Sequence, residues 1–113
     1  MKKDKFVYTE DIIEAIVKIE RYLGDKIFDD FESDDVIQDA VIRNLEIIGE
    51  TAAKLLSSES DLPDELISEL RSAKGMRNIL IHNYDSVNID QVWDTTQVNL
   101  PHLKQLLDSI RPS

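Results

Sequence analysis

The chain has 113 residues, enough for one domain with a buried core. Its net charge of −10 argues against a protein that coats nucleic acid indiscriminately, because such binding relies on dense positive charge. It has no cysteine, which excludes disulfides, thiolate metal sites and a cysteine nucleophile. No apolar run reaches membrane-spanning length or resembles a signal peptide. We therefore expect one cytoplasmic domain over residues 1–113 with no membrane contact.

The first two predicted helices can be bounded from their start and stop signals. Thr9 is a candidate N-cap for the first helix, and Gly24 should end it. Ser33, which two aspartates follow, marks the start of the second helix, whose apolar stripe continues to Leu55 and predicts about six turns. Gly49 costs this helix roughly 1 kcal/mol relative to alanine, which predicts that another backbone packs closely there.

Two further helices follow a predicted loop over residues 57–63. Pro63 suits the first turn of the third helix. Asn88 and Gln91 resemble a capping box for the last helix, which Pro101 should kink or restart. The sequence shows no convincing strand pattern. We therefore predict an all-α fold, an antiparallel bundle of four main helices with one of them kinked or broken.

Residues 77–84, at the end of the third helix, place polar and ionisable groups within an apolar segment. Arg77 offers a planar fork of donors that suits a phosphate. His82 can take up and release a proton, since an ordinary histidine titrates near neutral pH. Tyr84 follows the histidine by two positions. A phosphate-binding group beside a proton carrier suggests phosphodiester chemistry.

A helical wheel places the polar residues of this segment on one side of the third helix. Arg71 and Lys74 share that side with Arg77, and no acidic residue occurs from 70 to 84, so both are candidate RNA phosphate contacts. Asn78 lies four positions before the histidine, where its amide can orient the imidazole. The alternative is a solvated helix face that is acid-free by chance.

Ile81 lies about 40° from Arg77 on this wheel, inside the polar arc, where a monomer would expose it. An exposed isoleucine alone means little. Between an arginine and a histidine of this kind it predicts contact with a second subunit, and so a homodimer with a polar cleft along its seam. The alternative is a set of ordinary roles: Arg77 snorkelling over the surface, His82 hydrogen-bonded for structure and Tyr84 an amphipathic residue at a helix end.

The residues Arg77, Asn78, His82 and Tyr84 resemble the Arg-Asn-x-x-x-His-x-Tyr motif of HEPN-domain proteins, in the HepT-like toxin branch. The resemblance covers nearly the whole chain, and it includes segments 11–16, 38–50 and 75–78 and the pairs Val92-Trp93 and Leu100-Pro101. It implies a homodimeric helical bundle that acts as a metal-independent endoribonuclease toxin without a cofactor. It also implies a minimal nucleotidyltransferase antitoxin as partner.

Carried over by position, the resemblance implies that Arg77 and His82 are catalytic and that Asn78 supports them. Tyr84 would be the residue to which the antitoxin transfers AMP. Asn83 and Asp85 depart from the commonest pattern around this tyrosine. The Arg–His pair is intact, so these departures concern only the loop shape and the mode of neutralisation.

RNA carries its own nucleophile, the 2′-hydroxyl. If His82 removes its proton, the oxygen can attack the adjacent phosphorus while Arg77 stabilises the added negative charge. No metal is required, and His102, the other histidine, lies on a different predicted helix without ligand spacing, so we expect no metal site. The rival hypothesis is a non-catalytic module that binds a nucleotide or a partner protein and uses Arg77 only to hold phosphate.

Overall fold

The computed structural model describes residues 5–59, 61–83 and 85–111, and within these residues it contains helices and no strand. The elements in chain order are α1 (Lys5–Leu23), α2 (Phe28–Glu32), α3 (Asp35–Ser58), α4 (Asp64–His82), α5 (Ile89–Asp94), a π-helical segment (Thr95–Asn99) and α6 (Leu100–Ile110). The last three are continuous and make one interrupted helix. The predicted all-α bundle with one broken helix is confirmed.

The core lies around α3, which packs along both α1 and α4, while α6 packs against α1 and α4. The apolar stripe predicted for this helix points inward; Ile37 at its start is half-buried, and the rest is buried (Val41, Leu45, Ile48, Ala52 and Leu55). Because a short connection joins α3 to α4, the two helices run antiparallel. The C-terminal end of α4, which carries the candidate site, therefore lies toward the N-terminal half of α3. In the described residues, no helix has the length and apolar character needed to cross a membrane.

The start of α1 differs from the prediction. The helix already includes Lys5, and Thr9 is buried within it, where its hydroxyl donates to the Lys5 carbonyl at 2.7 Å. The prediction that Thr9 is an N-cap is therefore wrong. A threonine inside a helix can use its hydroxyl in this way, which leaves no signal in the sequence. The predicted end is correct, since Gly24 follows the helix with a φ of +50° that favours glycine.

The caps of the later helices agree better with the sequence. Asp34, one residue beyond the predicted Ser33, caps α3 by accepting a bond from the Ile37 amide at 3.1 Å. Ser33 instead belongs to the end of the short helix α2, which the sequence analysis did not predict. Asn88 caps α5 as predicted, by accepting from the Gln91 amide at 3.0 Å, but the return bond of the predicted capping box, from the Asn88 amide to the Gln91 side chain, is absent among the described residues.

The interruption of the last helix comes just before Pro101. In the π-helical segment, the amide of Leu100 donates to the carbonyl of Thr95, a step of five residues in place of the usual four. Pro101 has no amide hydrogen and lies in the first turn of α6. A proline is tolerated in the first turn of a helix, and a wider π turn ahead of it lets the chain restart without a clash. The predicted restart at this proline is confirmed.

Candidate active site

The backbones of α3 and α4 approach each other closely where Gly49 faces Arg77. A Cβ on Gly49 would overlap the Cβ of Arg77 and lie 2.6 Å from the carbonyl oxygen of Ala73. The close approach predicted from a glycine inside a long helix is therefore confirmed. Its consequence concerns the site, because the stem of Arg77 rests directly against α3.

The guanidinium of Arg77 is only partly satisfied. Its Nη1 donates to Asn78 Oδ1 at 3.3 Å, whereas its Nε is buried and has no hydrogen-bond partner in the part of the chain that the structure describes. An unpaired buried donor costs about 1–3 kcal/mol, so such groups usually meet a ligand, water or partner. The side chain as a whole is half-buried, which leaves donors open to a phosphate.

His82 is the last residue of α4 and is exposed. Its Nδ1 lies 2.7 Å from the backbone carbonyl oxygen of Asn78. A carbonyl can only accept a hydrogen bond, so in the neutral ring the proton belongs on Nδ1. The other nitrogen, Nε2, then carries a free lone pair. This is the tautomer that a general base needs.

Asn78 contacts both candidate catalytic residues, but not in the way the sequence suggested. Its side-chain amide does not orient the imidazole; the backbone carbonyl does so, and the side-chain oxygen accepts from Arg77 instead. The prediction of an amide–imidazole contact is wrong, because the carbonyl four residues earlier is the nearest acceptor for a ring at a helix end. Asn78 still lies between Arg77 and His82 and holds each by a different atom.

The remaining predicted site residues surround this pair. Arg71 and Lys74 are exposed on α4, and neither forms an ion pair with another described residue. Ile81 is 41% exposed, in agreement with its predicted position in the polar arc, and Ile79 is 42% exposed. The sequence analysis did not single out Ile79. Tyr84, the predicted modification residue, lies outside the described residues.

A second polar cluster lies at the other end of α4, and the sequence analysis missed it. His102 of α6 places Nε2 2.9 Å from Glu65 Oε1 and Nδ1 3.1 Å from Glu69 Oε1. The hydrogen bond to Glu65 is the largest cause that raises the pKa of His102 above its ordinary value of 6.5. The spacing of Glu65 and Glu69, four apart on one face, could have indicated a shared partner. Among the described residues, no three potential metal ligands cluster together.

The comparisons with known proteins agree with the fold and the motif. A family model described as Ribonuclease HepT-like matches residues 12–110. The chain belongs to the HepT-like ribonuclease family. The resemblance and the enzyme class predicted from the sequence are thereby confirmed at the level of the family.

The relatives carry consistent names. A Thermococcus cleftensis protein named as a probable ribonuclease HepT is 38% identical over 111 residues, which is 98% of this chain and 99% of that protein. The mRNA nuclease HepT of Shewanella oneidensis is 26% identical over 86% of this chain and 88% of its own length. A Methanocaldococcus jannaschii protein, whose name joins gamma-glutamylcyclotransferase with RNase, is 39% identical over 93% of this chain but only 46% of that protein. This chain therefore spans less than half of that relative.

A solved crystal structure of a toxin–antitoxin with AMP-PNP has a similar fold. Its TM-score is 0.73 with 24% identity, and the match covers 96% of this chain and 97% of that one. At this identity the likeness establishes the shared bundle. The roles of individual side chains have to be argued from the geometry of this site.

Proposed function

We propose that this protein is an endoribonuclease toxin of a toxin–antitoxin system and that Arg77 and His82 carry the chemistry. The observation that carries the proposal is the way Asn78 holds both groups. Its carbonyl holds the Nδ1 of the imidazole and its side chain holds one nitrogen of the guanidinium. A base nitrogen and a phosphate-binding fork are thus presented together at the exposed end of α4.

The reaction needs only these groups and the RNA. Nε2 of His82 accepts the proton of the 2′-hydroxyl, and the oxygen attacks the adjacent phosphorus. The bond to the 5′-oxygen breaks, which leaves a 2′,3′-cyclic phosphate and a free 5′-hydroxyl. Arg77 stabilises the charge on the phosphoryl oxygens, which is worth roughly 3–4 kcal/mol for one well-placed donor. The base contributes about 100- to 10,000-fold, and Arg71 and Lys74 hold neighbouring phosphates.

One histidine cannot easily remove one proton and supply another in a single step. In a symmetric homodimer, the partner subunit's His82 can protonate the leaving 5′-oxygen across the seam. The exposed side chains of Ile79 and Ile81 support this arrangement, because they put apolar surface beside the polar groups. A second copy would also double the local positive charge in a protein whose net charge is −10.

A substitution that introduces one charge at Ile81 tests the dimer. Ile81→Asp should raise the dimer dissociation constant at least about tenfold, because it buries an unpaired carboxylate in the seam. Val17→Asp is the matched control, since Val17 is 40% exposed, close to the 41% of Ile81, and lies on α1, which packs against α3 and α6. Sedimentation velocity from nanomolar to micromolar protein measures both. A monomeric wild type contradicts the dimer, and equal behaviour of the two variants in a dimeric protein contradicts the placement of Ile81 in its seam.

The antitoxin in this proposal is a minimal nucleotidyltransferase. It joins AMP from ATP to the hydroxyl oxygen of Tyr84 and releases pyrophosphate. The added phosphate would then compete with RNA for Arg77 through charge-assisted bonds. The toxin–antitoxin of similar fold, solved with AMP-PNP, supports this partner class. Intact-mass measurement after co-expression tests it: one added AMP is expected in wild type and none in Tyr84→Phe. Full neutralisation at unchanged mass would mean that the antitoxin acts by binding.

Activity is tested directly with purified protein, single-stranded RNA and excess EDTA. We expect fragments that end in a 2′,3′-cyclic phosphate, and a loss of at least about 100-fold in Arg77→Ala. Arg21→Ala is the control, because Arg21 is an exposed arginine at the end of α1. Intact RNA at every protein concentration, with RNA still bound, would favour the rival, a non-catalytic binding module. Cleavage that persists in Arg77→Ala would remove this residue from the mechanism.

A further inference from the structure

A groove of about 310 Å³ lies between α1 and α3, and no described residue of α4, which carries the proposed catalytic groups, lines it. Its floor contains two polar side chains of α3, Asn44 and Thr51, which are only 7% and 8% exposed. Ala15 of α1 also lines the groove, and its small side chain leaves the floor open. A polar floor of this kind requires hydrogen-bond partners, because buried polar groups are costly when they are unpaired.

Both polar side chains on the floor have hydrogen-bonding capacity that the described residues do not use. Asn44 Nδ2 donates to the Ala40 carbonyl at 2.9 Å, which leaves Oδ1 and the second amide hydrogen without a partner among these residues. The Thr51 hydroxyl has no partner in the same part of the chain, whereas the hydroxyls of Thr9 and Thr95 donate to the carbonyl four residues earlier. Neither unpaired oxygen is fully enclosed, so a group that enters the groove can reach both.

The flank of α3 beside the groove carries a second stripe of side chains, about 100° around the helix from the core stripe. Four of its members follow one another at steps of three, four and three residues, the spacing of a helical seam (Asn44, Ile47, Thr51 and Lys54). Val36 lies within about 20° of Ile47 on a helical wheel, and at 78% it is the most exposed large hydrophobic side chain in the described residues. The stripe therefore extends along most of α3 and suits contact with another helix.

The rims of the groove carry charges of both signs. On α3, Glu50 and Lys54 are exposed, and neither forms an ion pair with another described residue, although they lie four apart. On α1, Glu14 and Lys18 form a pair at 3.8 Å whose side chains are 69% and 43% exposed. A surface with charges of both signs and free donors and acceptors is complementary to a copy of itself turned about a twofold axis. A partner of one charge sign, or an apolar ligand, would leave many of these groups unpaired.

We propose that this groove is a second self-association surface, at which two copies of the chain pack α1 and α3 against each other about a twofold axis. The amide of Asn44 can donate and accept at once, so it can pair with the same amide of the other copy or with the hydroxyl of the partner subunit's Thr51. Polar groups at a helical seam fix its register at a cost in stability, so we expect this contact to form at higher protein concentration than the α4 seam. The inference stands apart from the proposed ribonuclease function, since no catalytic residue takes part.

The main test is made in the Ile81→Asp protein, in which the α4 seam is weakened, by sedimentation velocity from micromolar to millimolar concentration. This protein should still form dimers. Glu14→Lys with Glu50→Lys makes the rims positive, and Lys18→Glu with Lys54→Glu makes them negative. Each set alone should raise the dimer dissociation constant at least about tenfold, because like charges then face each other in a twofold contact. An equimolar mixture of the two sets should associate again, which a set that merely fails to fold cannot do.

The outcomes separate this contact from the α4 seam. A monomeric Ile81→Asp protein over the whole range would leave the groove to a different partner and overturn the inference. Charge sets that dimerise like their parent, or a mixture that does not associate, would also overturn it. A dimer that Ile81→Asp does not weaken and that both charge sets dissociate would support the groove and contradict the α4 seam.

A second test addresses the apolar end of the stripe and the polar floor. Val36→Asp should weaken the association at least about tenfold, while its fold is kept, because a carboxylate in the first turn of α3 is favourable to the helix dipole. Val98→Asp is the matched control, since Val98 is 67% exposed outside α1 and α3. Thr51→Val removes the unpaired hydroxyl and should weaken the association about fivefold without destabilising the monomer. Equal association of wild type, Val36→Asp and Thr51→Val would overturn the inference.

Discussion

The two histidines of this chain lie near opposite ends of α4 and differ in their hydrogen-bond partners. His82 is the last residue of α4, and His102 of α6 contacts its first turns. His102 is held by two carboxylates, one at each ring nitrogen, at 2.9 and 3.1 Å. His82 has one nitrogen at a backbone carbonyl, at 2.7 Å, and the other has no hydrogen-bond partner among the described residues. The first arrangement favours the protonated ring and leaves no lone pair for chemistry. The second places the proton of a neutral ring on Nδ1, the tautomer that the proposed general base requires.

The difference teaches that the kind of hydrogen-bond partner separates a histidine held by two carboxylates from one that the proposed mechanism can use as a base. Carboxylates at both nitrogens connect α6 to α4 and have a stabilising purpose. A carbonyl satisfies one nitrogen without adding a charge, and the proposed mechanism uses the other nitrogen. The same division separates the two ends of α4, since Glu65 and Glu69 are paired whereas the buried Nε of Arg77 has no partner among the described residues.

The most direct test of this contrast is the same substitution at each histidine. His82→Gln should lower the rate of RNA cleavage by at least about 100-fold, because glutamine cannot act as a base. His102→Gln should leave the rate within about twofold, because the hydrogen bonds of its ring to described residues are to Glu65 and Glu69, at the other end of α4 from His82. Single-turnover cleavage at saturating protein measures both. Equal losses in the two variants would show that the surroundings of the rings do not assign their roles.

A smaller loss of cleavage rate is expected from a substitution at the contact between α3 and α4 that holds Arg77 in place. Gly49→Ala puts a Cβ onto the Ala73 carbonyl oxygen and the stem of Arg77, so α4 has to move. Overpacking of this kind costs about 1–3 kcal/mol, and a displaced Arg77 should lower the cleavage rate in folded protein about tenfold. Gly75→Ala is the matched control, because its Cβ points into open space and should stabilise the helix by about 0.5–1 kcal/mol.

Urea titration measures the free energy of unfolding of both glycine variants, and cleavage is assayed below the transition region. Activity in Gly49→Ala that falls only in proportion to the unfolded fraction would mean that the close approach serves stability alone. A stabilised Gly49→Ala protein would contradict the observed helix contact itself.

Much of the fold follows from local signals, and these are the parts that the sequence predicted correctly. Gly24, Asn88 and Pro101 each act on their own few residues, through backbone freedom, a side-chain cap and a missing amide. The exposure of Ile81 follows from helical spacing alone. Thr9 was assigned wrongly because a threonine hydroxyl can serve an N-cap or a carbonyl inside a helix, and the sequence does not distinguish the two.

The site required information that no local pattern contains. Glu65 and His102 are 37 positions apart, so their contact exists only once α6 packs on α4. Likewise, Asn78 offers two oxygen atoms to its neighbours. Only the side-chain rotamers decide that the backbone oxygen bonds His82 and the side-chain oxygen bonds Arg77. The sequence identified the participating residues of the α4 motif, and the structure supplied their pairing.

The smallest expected effect is a pH dependence of stability that comes from His102. Because its folded-state pKa is raised above 6.5, the protonated ring stabilises the fold below that value, and the contribution is lost as pH rises through the folded-state pKa. The melting temperature of wild type should therefore fall between about pH 6 and pH 8 relative to His102→Gln. His82→Gln is the control and should keep the wild-type difference, since no carboxylate contacts His82 among the described residues. Melting curves of wild type and His102→Gln that stay parallel over this range would show that the two carboxylates do not hold a charged ring. The contrast between the histidines would then rest on position alone.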